Sequence, residues 1–261
     1  MNVYSTTRVV FFSPTHTSAR IARAVAEGIG MGRRIETDLT LDTSDTPLPV
    51  KDELTVIAAP VYGGRIAPVA LQRIKRLKAE NAPAILIAVY GNRDYEDALL
   101  ELRDTAIGLG FTPLSAGAFI GEHSYSSDRY PVAAGRPDES DLQKAVAFGK
   151  ESLEKLGKTG FGDGSLFVKG NYPYKVVQAG KPSCPVCTES CFACGECVDV
   201  CPTRAIRISA DGCHIETDID RCIRCCACVK VCPNQARIYE NPFAAILHEK
   251  CSARREPELF L

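Results

Sequence analysis

Eight of the thirteen cysteines fall into two copies of one spacing. The first run is Cys191-x-x-Cys194-x-x-Cys197-x-x-x-Cys201-Pro202. The second is Cys222-x-x-Cys225-x-x-Cys228-x-x-x-Cys232-Pro233, and it starts 31 residues later. Three thiolates on one tight loop can hold three irons of a cubane, while the fourth points away and ligates the other cubane. Cys191, Cys194, Cys197 and Cys232 are therefore expected to hold one 4Fe-4S cluster, and Cys222, Cys225, Cys228 and Cys201 a second. The proline after each fourth cysteine removes a backbone donor and fixes the turn. Zinc is the other common use of Cys-x-x-Cys pairs. It takes two such pairs or histidine partners, not two whole copies of a four-cysteine run.

Five cysteines stand outside the pattern: Cys184, Cys187, Cys213, Cys226 and Cys251. Cys184-Pro-Val-Cys187 offers two thiols, with no histidine close by, to a further metal. Cys226 lies between two ligands and is expected to point outward. Free cysteine often serves as a small buried apolar residue, and none of the five is taken as an iron ligand. No cysteine precedes Cys184, which argues against a secreted disulfide framework and for a reducing, cytoplasmic setting. Clusters of this kind are commonly oxygen-sensitive, which favours an anaerobe.

A second constellation lies near the N-terminus. The apolar run Arg8 to Ser13 leads into Ser13-Pro14-Thr15-His16-Thr17-Ser18 and then a helical pattern. A hydroxyl-rich turn at a helix N-terminus suits a phosphate, since backbone N–H groups, hydroxyls and the helix dipole all favour an anion. A plain Ser/Thr helix cap is the competing use. Two further buried runs end in Pro60-Val61-Tyr62-Gly63-Gly64-Arg65 and Tyr90-Gly91-Asn92-Arg93-Asp94-Tyr95. Glycine lets backbone approach a flat ring, tyrosine offers a stacking face, and Asn92 can bond a polar ring edge. Packing of Tyr62 and Tyr90 over the sheet, with Arg65 and Arg93 solvated, is the alternative. Together the three loops favour a mononucleotide carrying a ring system.

These loops need a scaffold that brings strand ends to one edge. Arg8–Ser13, Leu54–Pro60, Ala84–Tyr90 and Ser115–Ile120 read as strands, and Arg34–Leu39 as a weaker edge strand. Thr17–Gly28, Pro68–Lys78, Tyr95–Leu109 and Asp141–Leu156 read as helices, the last opened by Ser140 as N-cap. Uninterrupted apolar strands alternating with helices indicate a parallel sheet covered on both faces. The texture changes at Gly160–Lys181, rich in Gly, Pro and Tyr. The division is then 1–159, a linker at 160–182, a cysteine domain at 183–240 and a tail at 241–261.

The hydroxyl turn resembles the flavodoxin phosphate loop, and the two later loops resemble those beside its flavin ring. The likeness spans about residues 8–157. Joined to the two-run cysteine segment, the chain resembles the flavodoxin–ferredoxin fusion proteins of anaerobic bacteria and archaea. Gly121-Glu122-His123-Ser124-Tyr125-Ser126 also looks like a motif of that group. The resemblance implies a five-stranded parallel sheet in order 2-1-3-4-5 and bound FMN. It also implies FMN contacts from Ser13, Thr15, His16, Thr17, Ser18, Pro60, Val61, Tyr62, Gly63, Gly64, Tyr90, Gly91, Asn92, Arg93 and Tyr95. The common loop has glycine where this chain has His16. His123 is a candidate to approach the flavin, donate a proton or hold its loop against the linker.

The reading that follows is an electron-transfer protein passing electrons between FMN and two 4Fe-4S clusters, and onward to a redox protein or partner enzyme. Its rivals are an FMN-dependent reductase of an organic substrate and a flavin-free redox sensor or docking module. A homodimer is compatible with any of these. A formal net charge of -1 offers nothing to nucleic acid. No apolar run approaches the roughly 20 residues of a membrane span. No Gly-x-Gly-x-x-Gly follows a strand, so a built-in nicotinamide site lacks support.

Overall fold

The structure is a computed structural model and describes residues 4–30, 32–80, 82–160, 165–178 and 180–261. In chain order, β1 (Thr6–Phe11), α1 (Thr17–Ile29), β2 (Arg33–Asp38), β3 (Leu48–Val50), β4 (Leu54–Tyr62) and β5 (Arg65–Ile66) come first. They are followed by α2 (Pro68–Ile74), β6 (Leu77–Ala79), β7 (Ala82–Tyr90), α3 (Ala98–Gly108), β8 (Phe111–Ile120) and α4 (Glu139–Thr159). The five long strands lie in the order β2-β1-β4-β7-β8 and pair in parallel. Counted among themselves they run 2-1-3-4-5, the flavodoxin-like doubly wound order.

Both sheet faces are covered, which is why β4 and β7 show no polar alternation. One face packs Val10, Ile57 and Leu86 against Ile74 of α2 and Leu99 and Leu102 of α3. The other packs Val9, Val56 and Ile85 against Ile21 and Val25 of α1 and Phe148 of α4. α1 and α4 meet at two glycines. A Cβ on Gly28 would fall 1.9 Å from the Val146 carbonyl oxygen, and one on Gly149 2.0 Å from that of Val25.

Several element ends differ from the sequence reading: β8 starts at Phe111 rather than Ser115 and α4 runs to Thr159 rather than Leu156, and three further differences have a visible cause. α2 stops at Ile74 instead of Lys78, because Leu77–Ala79 is drawn into a parallel ladder with Leu48–Val50. Arg76 secures that turn by donating to the Thr46 carbonyl at 2.9 Å and Asp42 at 2.8 Å. α3 starts at Ala98 instead of Tyr95, since Glu96 has a left-handed backbone (φ 43°) and Tyr95 turns into the core. The cap of α4 is Asp138 rather than Ser140. Its carboxylate accepts from the Asp141 N–H at 3.1 Å, and Asp141 accepts from the Asp138 N–H at 2.9 Å, a reciprocal capping box.

The cysteine segment contains β9 (Val186–Cys187), α5 (Glu196–Asp199), β10 (Ile206–Ile208), β11 (Ile215–Thr217), α6 (Ala227–Lys230) and β12 (Arg237–Ile238). β9 pairs with β12 and β10 with β11, both antiparallel. Its apolar core is small, centred on Cys197, Ile206 and Cys228. The tail forms α7 (Phe243–Cys251) and β13 (Glu258–Phe260), and β13 pairs antiparallel with β8 on the first sheet. The linker is strapped down rather than slack. Asp97 accepts from the Asn171 and Lys175 N–H groups at 2.8 and 2.6 Å, and Arg65 lies over the Tyr174 ring at 4.6 Å. Linker residues 161–164 and 179 lie outside the described residues.

The most buried ion pair of the first domain joins Arg136 to Asp141, which has no exposed surface and also sits in the capping box. Asp141→Asn leaves the guanidinium uncompensated, so a loss of roughly 3–5 kcal/mol is expected. Urea unfolding of the anaerobically loaded protein, followed by far-ultraviolet circular dichroism, checks it.

Candidate functional site

Two cavities are lined by thiols. One is walled by Cys201, Cys222, Cys225 and Cys228, with Pro202, Ile206 and Ile223. The other is walled by Cys191, Cys194, Cys197 and Cys232, with Pro233 and Arg237. In each, three cysteines come from one run and the fourth from the other. The fourth crosses because the short helix after each loop, α5 or α6, carries the chain toward the neighbouring cavity. All thirteen cysteines are free thiols.

Thiols ringing each cavity suit a polynuclear group such as a cubane. Among the described residues no three or more His, Cys, Asp or Glu side chains converge closely enough to hold one metal ion. Thiols ringing a cavity without meeting at a point suit a polynuclear group, whereas tetrahedral zinc needs four sulfurs about 2.3 Å from one centre. Burial pushes the Cys225 thiol up to about 12 and that of Cys197 up to about 11. A metal group held by these two thiols would have to displace a proton from each.

The remaining cysteines separate clearly. Cys213 is exposed on the turn between β10 and β11. Cys187 joins the wall of the second cavity. Cys226, expected to point outward, is only 2% exposed and lines the first cavity. The outward side at that position is covered by the first domain. The Tyr62 phenol is pushed well above its ordinary value by burial and then by the neighbouring Cys225, Cys226 and Tyr125.

That contact is part of a broad junction between the cysteine domain and the C-terminal edge of the sheet. Arg73 of α2 lies over the Phe12 ring at 5.4 Å and donates to the Leu39 carbonyl at 2.8 Å. It also donates at 2.6 Å to the carbonyl of Pro202, which follows Cys201. Ile223, in the first cavity wall, packs against the core cluster that Val61 and Tyr62 also border. Lys230 pairs with Glu122 and donates to the Ser126 carbonyl at 3.2 Å. The Tyr125 and Tyr239 rings meet edge to face at 5.4 Å.

The same edge carries the proposed nucleotide loops. At the phosphate turn Ser13 Oγ accepts from the Ala19 N–H at 3.0 Å, and Pro14 is buried. Ser18 Oγ is buried without a hydrogen-bond partner, while Thr15 and Thr17 are partly exposed and His16 is exposed. An orphaned hydroxyl at a helix N-terminus fits an absent anion. His16 has φ 64° and makes no side-chain cap. Left-handed backbone explains the usual glycine at this position, and histidine is among the side chains that tolerate it best.

The ring loops are more heavily engaged. Asn92 is 1% exposed, and its amide donates to the carbonyls of Cys251 and Ala253 in the tail, the latter at 2.8 Å. Tyr95 donates to Glu258 at 2.6 Å and packs against Tyr90 with ring centroids 5.4 Å apart. Arg93 pairs with Glu96 at 2.7 Å, and Arg65 pairs with Glu101. A Cβ on Gly91 would fall 2.4 Å from the His123 ring, one on Gly64 2.0 Å from the Glu96 carboxylate, and one on Gly63 3.0 Å from linker Val177. Pro60, Val61 and Tyr62 close β4, and the Pro60 carbonyl accepts from the Ala67 N–H at 2.9 Å. The phosphate end thus fits FMN, while much of the ring end is occupied by the chain's own tail, linker and His123.

A family model for a 4Fe-4S binding domain matches residues 188–207 and 215–238. No curated protein matches the chain. Solved structures similar to its first half include a flavodoxin from the domain Archaea, at 13% identity, 58% of this chain, 99% of that chain and TM-score 0.37. A flavodoxin, WrbA-like protein from Agrobacterium tumefaciens is similar at 16% identity, 59% and 98% coverage and TM-score 0.41. The Streptococcus pneumonia TIGR4 flavodoxin is similar at 17% identity, 57% and 97% coverage and TM-score 0.39. The fold class rests on the strand order above, not on these values. The chain joins a domain with the flavodoxin-like strand order to a 4Fe-4S binding domain, two parts that indicate a redox role. Among the described residues no helix is long and apolar enough to cross a membrane.

Two measurements follow. Cys201→Ser should lower iron from about eight to about four per chain, whereas Cys213→Ser keeps the full complement; iron and sulfide assays decide. His123 accepts from the Tyr125 N–H through Nδ1 at 3.0 Å, and burial lowers its pKa to about 4. The unfolded chain protonates near pH 6.5. The stability this neutral imidazole contributes is whole above about pH 6.5 and is lost as pH falls toward about 4. In NMR the His123 ring should not titrate between pH 8 and about 5.

Proposed function

We propose that this chain relays electrons between FMN at the C-terminal edge of the parallel sheet and two 4Fe-4S clusters. The observation that carries this is the docking of the first thiol cavity on that edge. Pro202, directly after Cys201, is bound by Arg73 of α2, and Tyr62 stands beside Cys225 and Cys226. Ser13, Thr15, Thr17 and Ser18 would hold the FMN phosphate at the start of α1, with Val61 to Gly64 and the Tyr90–Gly91 backbone beside the ring. FMN supplies one- or two-electron chemistry, and each cluster exchanges one electron. The protein sets spacing and excludes water.

The second cavity is the exit to a partner. Cys194 in its wall is exposed, and Phe192, directly after wall residue Cys191, is 61% exposed. A redox protein docking there would reach that cluster without disturbing the sheet edge.

A flavin-free module is the second reading, favoured by the tail contacts to Asn92 and Tyr95. One experiment separates the two. Anaerobically purified protein is assayed for iron, sulfide and flavin, then reduced stepwise under spectroscopic observation. About eight irons and one FMN per chain are expected. Iron without flavin leaves the module, and about four irons or zinc removes the two-cluster assignment.

A further inference from the structure

Five thiols, not four, ring the second cavity: Cys187, Cys191, Cys194, Cys197 and Cys232. A cubane takes one protein ligand at each of its four irons, so one thiol is surplus. The run spacing leaves out Cys187, yet the fold sets it beside the first member of that run. Cys187 ends β9, and the Cys191 N–H donates to the Thr188 carbonyl at 3.1 Å. That tight turn brings the chain back on itself, and the Cys187 and Cys191 thiols share a hydrogen bond.

The Cys187 sulfur is held in this wall by its partner across the β9–β12 ladder. That partner is Arg237, whose Nη1 donates to Cys187 Sγ at 3.3 Å. The guanidinium also bonds Cys228 in the other wall, so it ties the two sites together and selects neither. Arg237 is 3% exposed, and its Nε is buried without a hydrogen-bond partner. A buried cation so placed needs anionic neighbours, which metal-bound thiolates supply. Cys226, the extra thiol of the first cavity, is engaged differently. Its sulfur donates to the Arg224 carbonyl at 3.6 Å. The Cys187 sulfur accepts from a cation, which is the part a thiolate ligand plays.

We propose that Cys187 is a reserve ligand of the second cavity, taking the place of Cys191 at its iron where the Cys191 thiol is lost. This rests on the two-cluster reading. Two sets of four thiols then serve one site, sharing Cys194, Cys197 and Cys232. In the reserve set Cys187 gives up its proton and forms the iron–sulfur bond that Cys191 forms in the ordinary set. Charge and electron count are the same in both, and no oxidant or reductant is consumed. The loss of about four irons expected of Cys201→Ser has no counterpart at Cys191.

The test uses full-length, anaerobically loaded protein. Iron and sulfide are counted, and mass spectrometry maps the thiols that iodoacetamide reaches. Wild type should hold about eight irons, with Cys187 alkylated and Cys191 protected. Cys191→Ala should still hold about eight, with Cys187 now protected. Cys187→Ala/Cys191→Ala should hold about four. Three results overturn the proposal: Cys191→Ala with about four or about seven irons, Cys191→Ala with Cys187 still alkylated, or a double variant that keeps about eight. If Cys187 already resists alkylation in wild type, the iron counts of the single and double variants decide. If the double variant does not fold, protection of Cys187 in Cys191→Ala decides. If Cys191→Ala does not fold, Cys191→Ser is judged by the same protection of Cys187, and failure of both to give loaded protein overturns the proposal. Wild type lacking about eight irons sinks the two-cluster reading instead, an outcome its own iron count distinguishes.

Discussion

One buried guanidinium ties the two halves of the molecule together at the sheet edge. Arg73 is 8% exposed, stacks on Phe12 and donates to the carbonyls of Leu39, Thr40 and Pro202. Those carbonyls belong to the segment following β2 and to the turn after Cys201. Burial lowers its pKa from the ordinary arginine value, and a buried cation served only by carbonyls is tolerable when its donors are filled. Without Pro202 one end of the fork would lack this acceptor. The cysteine domain is thus part of what satisfies the first domain's core, and the position of the first cavity follows from that.

The same economy of parts governs the cysteine domain. Its apolar core consists of Cys197, Ile206 and Cys228 with a few half-buried neighbours, too little to hold a fold of this size alone. Its integrity must come from what the thiols bind and from the crossing of Cys201 and Cys232. Neither cavity is complete unless both repeats have folded. The junction with the sheet edge, through Lys230–Glu122 and the Tyr125–Tyr239 pair, adds the remaining surface.

The parallel sheet was legible because β4 and β7 are continuous apolar runs, and the cysteine runs because their spacing repeats. What escaped were features set by partners distant in sequence. β13 is three residues, Glu-Leu-Phe, with no pattern of its own; it becomes a strand because β8 offers an open edge. Ser140 was a reasonable cap until Arg136 fixed Asp141 and the reciprocal box selected Asp138. Cys226 looked outward-facing because the sequence does not reveal that Tyr62 lies on that side.

The glycines of the ring loops need a different explanation from the one their sequence invited. The missing side chain at Gly91 makes room for His123, and that at Gly64 for Glu96. Internal packing therefore accounts for the missing side chain at both, so the absence of a side chain there is not itself evidence for a flavin. Asn92 and Tyr95 are similarly accounted for by the tail. What internal packing leaves unexplained is the phosphate turn, where Ser18 Oγ is buried and unpaired and His16 holds a left-handed backbone without capping the helix. A turn kept strained and under-bonded at a helix N-terminus is the feature an anion would relieve. The case for a nucleotide at this edge rests on that turn, and the tail is the group the ring would have to lie beside or displace.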